Sequence, residues 1–368
     1  SNWNSQLPDA ANELAQFSGA NSSATSIDIN SNQRTGGILF NSNLTISSIS
    51  FTNTANELSI RNGAANRGIR NQSSKDITFL NKMGIEADMT WSSSNASGGS
   101  MDFQNTVDTD GFNLTFLTTN AANTITVSGN IIDSGDIIKT GAGTLTLSGA
   151  NTYTGATTIS AGKVIAAHNT ALGATSGDTT VASGATLELQ NDITIGAGES
   201  LANAGNLLNA QDDNTYAGVI SGAGTTTVTG GSLTLSGANT YTGTTTVNGG
   251  TLIAAHNSAL GANTANAVVN TGGTIDLDGG VTITKTTGTL TLNSSGTSAS
   301  TGALHAGGST GTTSSWIGDI ALTENGDGSV SITTPDSYPI ALELTPTYGA
   351  PSTINMIVEQ SGLVMNVS

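Results

Sequence analysis

Gly141–Gly173 reads GAGTLTLSGANTYTGATTISAGKVIAAHNTALG, and Gly231–Gly261 reads GSLTLSGANTYTGTTTVNGGTLIAAHNSALG. Leu145 aligns with Leu233, Tyr153 with Tyr241, Gly155 with Gly243, His168 with His256 and Leu172 with Leu260, without a gap from the first Leu to the last Gly. Substitutions keep size and pattern: Ile159 becomes Val247, Val164 becomes Leu252 and Thr170 becomes Ser258. A second copy this close marks a structural module. Within it, Thr144–Leu147 alternates polar and apolar, which puts Leu145 and Leu147 on one face of a strand. Thr157–Ile159 and Val164–Ala167 are further short strand-forming runs, divided by Gly and Asn, which tolerate left-handed backbone. Strands of about four residues bury no face alone and gain stability by stacking turn upon turn. The pattern predicts a β-solenoid with inward Leu, Ile and Val in columns and Thr ladders outside, Leu145 and Leu233 sharing one column. A β-sandwich, the alternative, normally has a more aromatic core and does not predict duplication.

Composition agrees. Of 368 residues, 4% are aromatic, 10% are charged and 47 are Gly, whereas a globular chain is about 25% charged. Such a thin core suits stacked backbone pairing. The net charge of −17 disfavours nucleic acid and anionic membrane surfaces, which require a basic face. There is no cysteine, so an exported chain does without disulfides. No apolar run reaches the roughly 18–20 residues of a membrane-spanning helix. The chain begins Ser1-Asn2-Trp3, as expected after removal of a leader.

Four segments are expected. Residues 1–23 form an N-terminal cap: Asp9 can cap a short helix carrying Ala10, Ala11, Leu14 and Phe17, and a rim strand fits almost as well. Residues 24–135 hold irregular rungs with a bulky core, because every Phe but Phe17 lies there. Residues 136–328 hold lean, regular rungs, with a degenerate module copy at Asn214-Thr215-Tyr216-Ala217-Gly218. Residues 329–368, punctuated by Pro335, Pro339, Pro346 and Pro351, form a C-terminal strand cap or extension. With about 22 residues per rung and a rise of about 4.8 Å, the body is a rod of roughly 60–70 Å.

Lys139-Thr140-Gly141-Ala142-Gly143-Thr144-Leu145-Thr146-Leu147-Ser148-Gly149-Ala150-Asn151-Thr152-Tyr153-Thr154-Gly155 resembles the autotransporter-associated (passenger-associated transport) β-strand repeat, as does the second copy. The resemblance implies an exported right-handed parallel β-helix of Gram-negative type bacteria, serving as passenger, stalk or adhesin. It brings no catalytic residues. A complete autotransporter ends in a membrane barrel; this chain ends Met365-Asn366-Val367-Ser368, and a free-standing secreted repeat protein is expected over one whose barrel was removed.

Candidate chemistry is sparse. His168 and His256 occupy equivalent Ala-Ala-His-Asn sites and read as turn residues rather than metal ligands. Asp108-Thr109-Asp110-Gly111 and Glu324-Asn325-Gly326-Asp327-Gly328 resemble pieces of calcium loops without the distal Glu, and Asp-Gly and Asn-Gly are also tight-turn dipeptides. Asp276 and Asp278 alternate on a strand and face solvent. Gly307-Gly308-Ser309-Thr310-Gly311 spells a nucleophile elbow, with His305 nearby, but lacks the strand-to-helix turn. Some β-helices cleave acidic polysaccharides with clustered Asp and Arg or Lys; here the acids are scattered. No cofactor, no metal and no catalysis are expected.

Arg61, Arg67, Arg70, Lys75 and Lys82 form the one basic concentration, while residues 301–368 carry Asp319, Glu324, Asp327, Asp336, Glu343 and Glu359 and no Lys or Arg. Their meeting would join subunits head to tail into a filament, supplemented by strand addition. The expected function is an exported structural solenoid of the cell surface or extracellular matrix. A glycan- or surface-binding adhesin passenger is the alternative, and a polysaccharide-degrading enzyme the lesser one.

Overall fold

The structure, a computed structural model, describes residues 14–17, 26–28, 33–43, 48–52, 54–61, 68–293, 303–306, 314–322, 332–333, 340–344 and 364–367. The described residues form short β-strands joined by turns, with no helix. Every strand pairing within each unit is parallel, and the strands stack as a β-solenoid. The chain divides into two compact units, Ser1–Leu187 and Glu188–Ser368.

In the first unit the chain visits three stacks in turn. Met89–Ser93, Gly99–Phe103 and Val107–Asp108 make one circuit, and Leu114–Thr118, Asn123–Val127 and Ile131–Ile132 lie on it in register. The alternation seen in the sequence sets which side chains face inward. Ile77, Met101, Ile125, Leu145 and Val164 form one column of register partners, all fully buried. Met101 follows Ile77 by 24 residues, Ile125 follows Met101 by 24, Leu145 follows Ile125 by 20 and Val164 follows Leu145 by 19. The longer circuits are those with aromatic filling. The rings of Phe51 and Phe79, and of Phe79 and Phe103, stack with centroids 4.7 Å apart, and Trp91 stacks on Phe103 at 4.4 Å. Large rings demand girth; Leu, Val and Ala do not.

Leu14–Phe17, which the sequence allowed as part of a capping helix, is a strand paired with Gly37–Phe40. Phe17 stacks on Phe40 at 5.2 Å, so the apolar spacing serves a rim strand. Residues 1–13 of that expected cap lie outside the described residues.

In the second unit, Asp213–Tyr216, Ser232–Leu235, Gly250–Ala254 and Gly273–Leu277 belong to a seven-stranded sheet. Thr225–Val228, Thr245–Val247, Ala267–Val269 and Leu290–Leu292 stack beside it. Ser314–Ile317, Ile340–Leu344 and Val364–Val367 form a parallel run. Residues 345–363 of the expected C-terminal segment lie outside the described residues.

One expectation is corrected. Leu145 and Leu233 do not share a column: Leu145 pairs with Ile125 and Val164, whereas Leu233 lies in the seven-stranded sheet, which begins at Thr194, and pairs with Asn214 and Leu252. The module specifies a strand, a corner and a strand; nothing in its alternation specifies which face of the coil it occupies.

Candidate functional site

The polar side chains that the module buries are used between rungs. Asn151, 1% exposed, accepts the Ile131 N–H at Oδ1 (2.8 Å) and donates from Nδ2 to the Ala171 carbonyl (2.7 Å). It thereby ties its own rung to the one before and the one after. Asn239 repeats this with the Ile220 N–H (2.9 Å) and the Ala259 carbonyl (2.7 Å). Two residues on, the fully buried Tyr153 places its hydroxyl 2.6 Å from Thr157 Oγ1, and Tyr241 places its own 2.6 Å from Thr245 Oγ1. Burial pushes the Tyr241 phenol up to about 12, with the Thr245 hydrogen bond opposing. Gly173 and Gly261 close the modules at φ +87 and +76. A Cβ on Gly173 would stand 2.7 Å from Tyr153 Cε2, so this Gly is the complement of that Tyr. The degenerate copy keeps the same logic: Asn214 Oδ1 accepts the Ile193 N–H (2.9 Å), and the buried Tyr216 donates to the Glu199 carbonyl (3.4 Å).

Two buried lysines escaped the sequence reading. Lys139 sits inward between Phe116 and Ile159 and is 1% exposed. Its Nζ donates to the carbonyls of Thr140 (2.8 Å), Gly141 (2.7 Å) and Ala161 (3.1 Å). Lys285, 3% exposed, donates to the carbonyls of Leu260 (2.7 Å) and Ala262 (2.8 Å). Burial pulls each ammonium down to about 8. The signal was present: Lys139-Thr140-Gly141-Ala142-Gly143-Thr144-Leu145-Thr146-Leu147 is echoed by Lys285-Thr286-Thr287-Gly288-Thr289-Leu290-Thr291-Leu292, one residue shorter.

The other candidates resolve into turns and pairs. His168 Nδ1 accepts the Thr170 N–H (3.1 Å) and His256 Nδ1 the Ser258 N–H (3.0 Å), so both imidazoles cap the turn that follows them. Asp108 Oδ1 accepts the Asp110 N–H (3.0 Å), and Asp110 has φ +46, a tight turn. Asp278 Oδ1 likewise accepts the Gly279 N–H (2.8 Å). Asp276 does not simply face solvent; its Oδ1 lies 3.0 Å from Nδ1 of His305, its register partner on the next strand. Residues 307–311 of the elbow spelling and 324–328 of the second calcium-like stretch lie outside the described residues. Among the described residues, no group of three or more acids or histidines is placed to hold a metal.

The residues expected to join subunits are spread over the fold. Arg61 Nε lies 3.1 Å from Glu86 Oε2, and Arg34 Nε 3.0 Å from Glu86 Oε1, so one carboxylate bridges two guanidinium groups. Lys82 is exposed, opposite Glu57 in register on the same stack. Arg70 is on a different stack, opposite Leu39 and Ser92, with its Nε buried and without a hydrogen-bond partner. The Lys75 carbonyl accepts from Asn71 Nδ2 (2.9 Å) in the bend before Asp76. In the second unit, Asp319 is exposed at a corner, its carbonyl accepting the Leu290 N–H (3.0 Å). Glu343 is on the strand Ile340–Leu344. Arg67, Glu324, Asp327 and Glu359 lie outside the described residues, as does Asp336.

The class defined by this geometry is a parallel β-solenoid whose repeated phrase locks one rung to the next. The family model described as passenger-associated-transport-repeat matches residues 137–166 and 230–254, the cores of the two modules. These two stretches are similar to that repeat, and the β-solenoid around them is consistent with an autotransporter-associated repeat protein. No curated protein and no solved structure gives a match. Among the described residues, no helix is long and apolar enough to cross a membrane.

Proposed function

We propose that the chain is an exported, non-catalytic structural β-solenoid, presented at the bacterial surface or in extracellular material as a passenger-like domain. The supporting observation is where the module places its polar chemistry. Asn151, Tyr153 and Thr157, and their counterparts Asn239, Tyr241 and Thr245, are all buried and satisfied within the stack. The repeated residues thus serve the coil, and the match to a passenger-associated repeat supplies the setting. Protease shaving and antibody labelling of intact cells test this reading: the chain should be accessible from outside, and a chain protected in intact cells but cleaved after lysis would overturn it.

Within that reading, end-to-end self-association is the finer proposal. It pairs basic residues of the first unit (Arg61, Arg67, Arg70, Lys75 and Lys82) with acids of residues 301–368, a stretch that has no Lys or Arg. Arg61 would have to exchange Glu86 for a neighbour's carboxylate. Sedimentation at low and high salt decides it: salt-sensitive polymers support the junction, and monomers at high concentration and low salt reject it in favour of an adhesin-type passenger.

A further inference from the structure

Lysine at an inward position of a solenoid is a physical anomaly. Burying an ammonium costs several kcal/mol unless its donors are satisfied, and even then the charge remains in a low dielectric. Here the cost is met twice in the same way. Both lysines open the same Lys-Thr…Gly-Thr-Leu-Thr-Leu phrase, one in each unit. Both ammonium groups are held by corner carbonyls, and each cage includes an adjacent rung: Lys139 takes Thr140 and Gly141 from its own corner and Ala161, 22 residues on, from the next, while Lys285 takes Leu260 and Ala262, 25 and 23 residues before it. Among the described residues, neither is in an ion pair with a carboxylate.

The backbone is shaped for this. Gly162, at φ +71, faces the Lys139 cage; a Cβ there would stand 2.3 Å from the Gly141 carbonyl oxygen and 2.8 Å from Lys139 Nζ. A Cβ on Gly318 would stand 2.9 Å from Lys285 Cβ.

We propose that Lys139 and Lys285 are one device used twice: an inward lysine whose amine closes a ring of corner carbonyls, ties one rung to the next, and sets by its protonation how firmly its unit holds. A neutral amine still donates two hydrogen bonds, enough for both Lys285 carbonyls and for two of the three around Lys139, so losing the proton removes the buried charge and keeps most of the tie. The ionisable groups on elements packed around the first cage are Asp136, whose Oδ1 takes the Ala156 N–H, and Lys163, at the start of the strand after Gly162. Around the second they are His256, capping its own turn, and Asp319, beyond Gly318.

The sign follows from burial, which lowers both groups from 10.5 to about 8. The unfolded chain then holds more protons than the fold between those values, so stability rises as pH rises from about 8 and is lost as pH falls back through it. The test is a titration of the full chain carrying ¹³C-labelled lysine. The sequence has five lysines. Two should titrate near pH 8, and the Lys139→Met and Lys285→Met variants should each remove one of that pair. A wild-type protein with no lysine midpoint near 8 would overturn the proposal, whether or not the variants fold. Urea unfolding at pH 7.5 and 9.5 supplies the second readout. The wild-type midpoint should rise between the two, and that of a folded K139M/K285M chain should not; an equal rise in both would also overturn it.

Discussion

Replacing Asn151 by Ala tests the central physical statement, that the module's buried amide fastens three rungs. The substitution removes two hydrogen bonds, to the Ile131 N–H and the Ala171 carbonyl. Both backbone partners are left inside the stack without Asn151. Each orphaned buried group costs about 1–3 kcal/mol, and the freed side-chain entropy returns less than about 1 kcal/mol. The expected net loss is about 1–6 kcal/mol. Asn239→Ala should cost somewhat less, because the Ala259 carbonyl keeps a long contact with the Tyr241 hydroxyl (3.5 Å). Urea unfolding reads the global loss. Native-state hydrogen exchange reads it locally, through the Ile131 and Ile220 amides, which should lose protection in the respective variants. That second readout matters because two compact units need not unfold in one step. Thr124→Ala, on the exposed side of a strand, is the control and should change stability by less than about 0.5 kcal/mol. A loss below about 1 kcal/mol for Asn151→Ala, with Ile131 still protected, would refute the reasoning.

Gly162→Ala should destabilise by more than about 2 kcal/mol, because left-handed backbone strain adds to a contact of 2.3 Å with the Gly141 carbonyl. Gly184→Ala has the same kind of φ (+80) but open space around its Cβ, and should cost only the backbone term of about 1–2 kcal/mol; thermal melts of the pair separate clash from strain. Phe79→Ala removes the ring between Phe51 and Phe103 and should cost about 3–5 kcal/mol, measured by urea unfolding. Glu86→Gln should leave stability within about 1 kcal/mol, since Arg34 is more than half exposed and such pairs are weak, yet it removes the carboxylate charge beside Arg61; if the end-to-end junction exists, sedimentation should show tighter self-association in the variant.

Strand alternation was legible because the coil reads only inward and outward. Thr144–Leu147 and Asn123–Val127 announce their buried side by their spelling, and the structure follows it. The wide aromatic circuits were legible from where the Phe residues stop. The buried lysines were not, because an inward position occupied by Lys139 looks, in isolation, like an interruption of the apolar rhythm. Only the three-dimensional corner shows carbonyls converging on Nζ. The surroundings of the basic residues were not legible for a related reason: Arg61 and Arg70 are near in sequence, but a coil sends consecutive strands to different stacks, and Glu86, 25 residues after Arg61, is the residue that arrives beside it.

The same circuit explains why the two modules share their buried Asn and Tyr contacts and differ in place. Within each copy the first Leu of the Leu-Thr-Leu strand lies under the aliphatic residue 19 positions later, Leu145 under Val164 and Leu233 under Leu252. The Asn of each copy reaches about one rung back and one rung on. All of these contacts are internal to the module and its immediate neighbours. None requires that a distant copy stand in the same sheet, and none does so here. A phrase with that property can be duplicated at any spacing that the intervening rungs tolerate, since each copy carries its own register with it. The selective value of Asn-Thr-Tyr-Thr-Gly in such a chain is then its self-sufficiency: it fixes one junction between rungs by buried hydrogen bonds and leaves the outward faces free to vary.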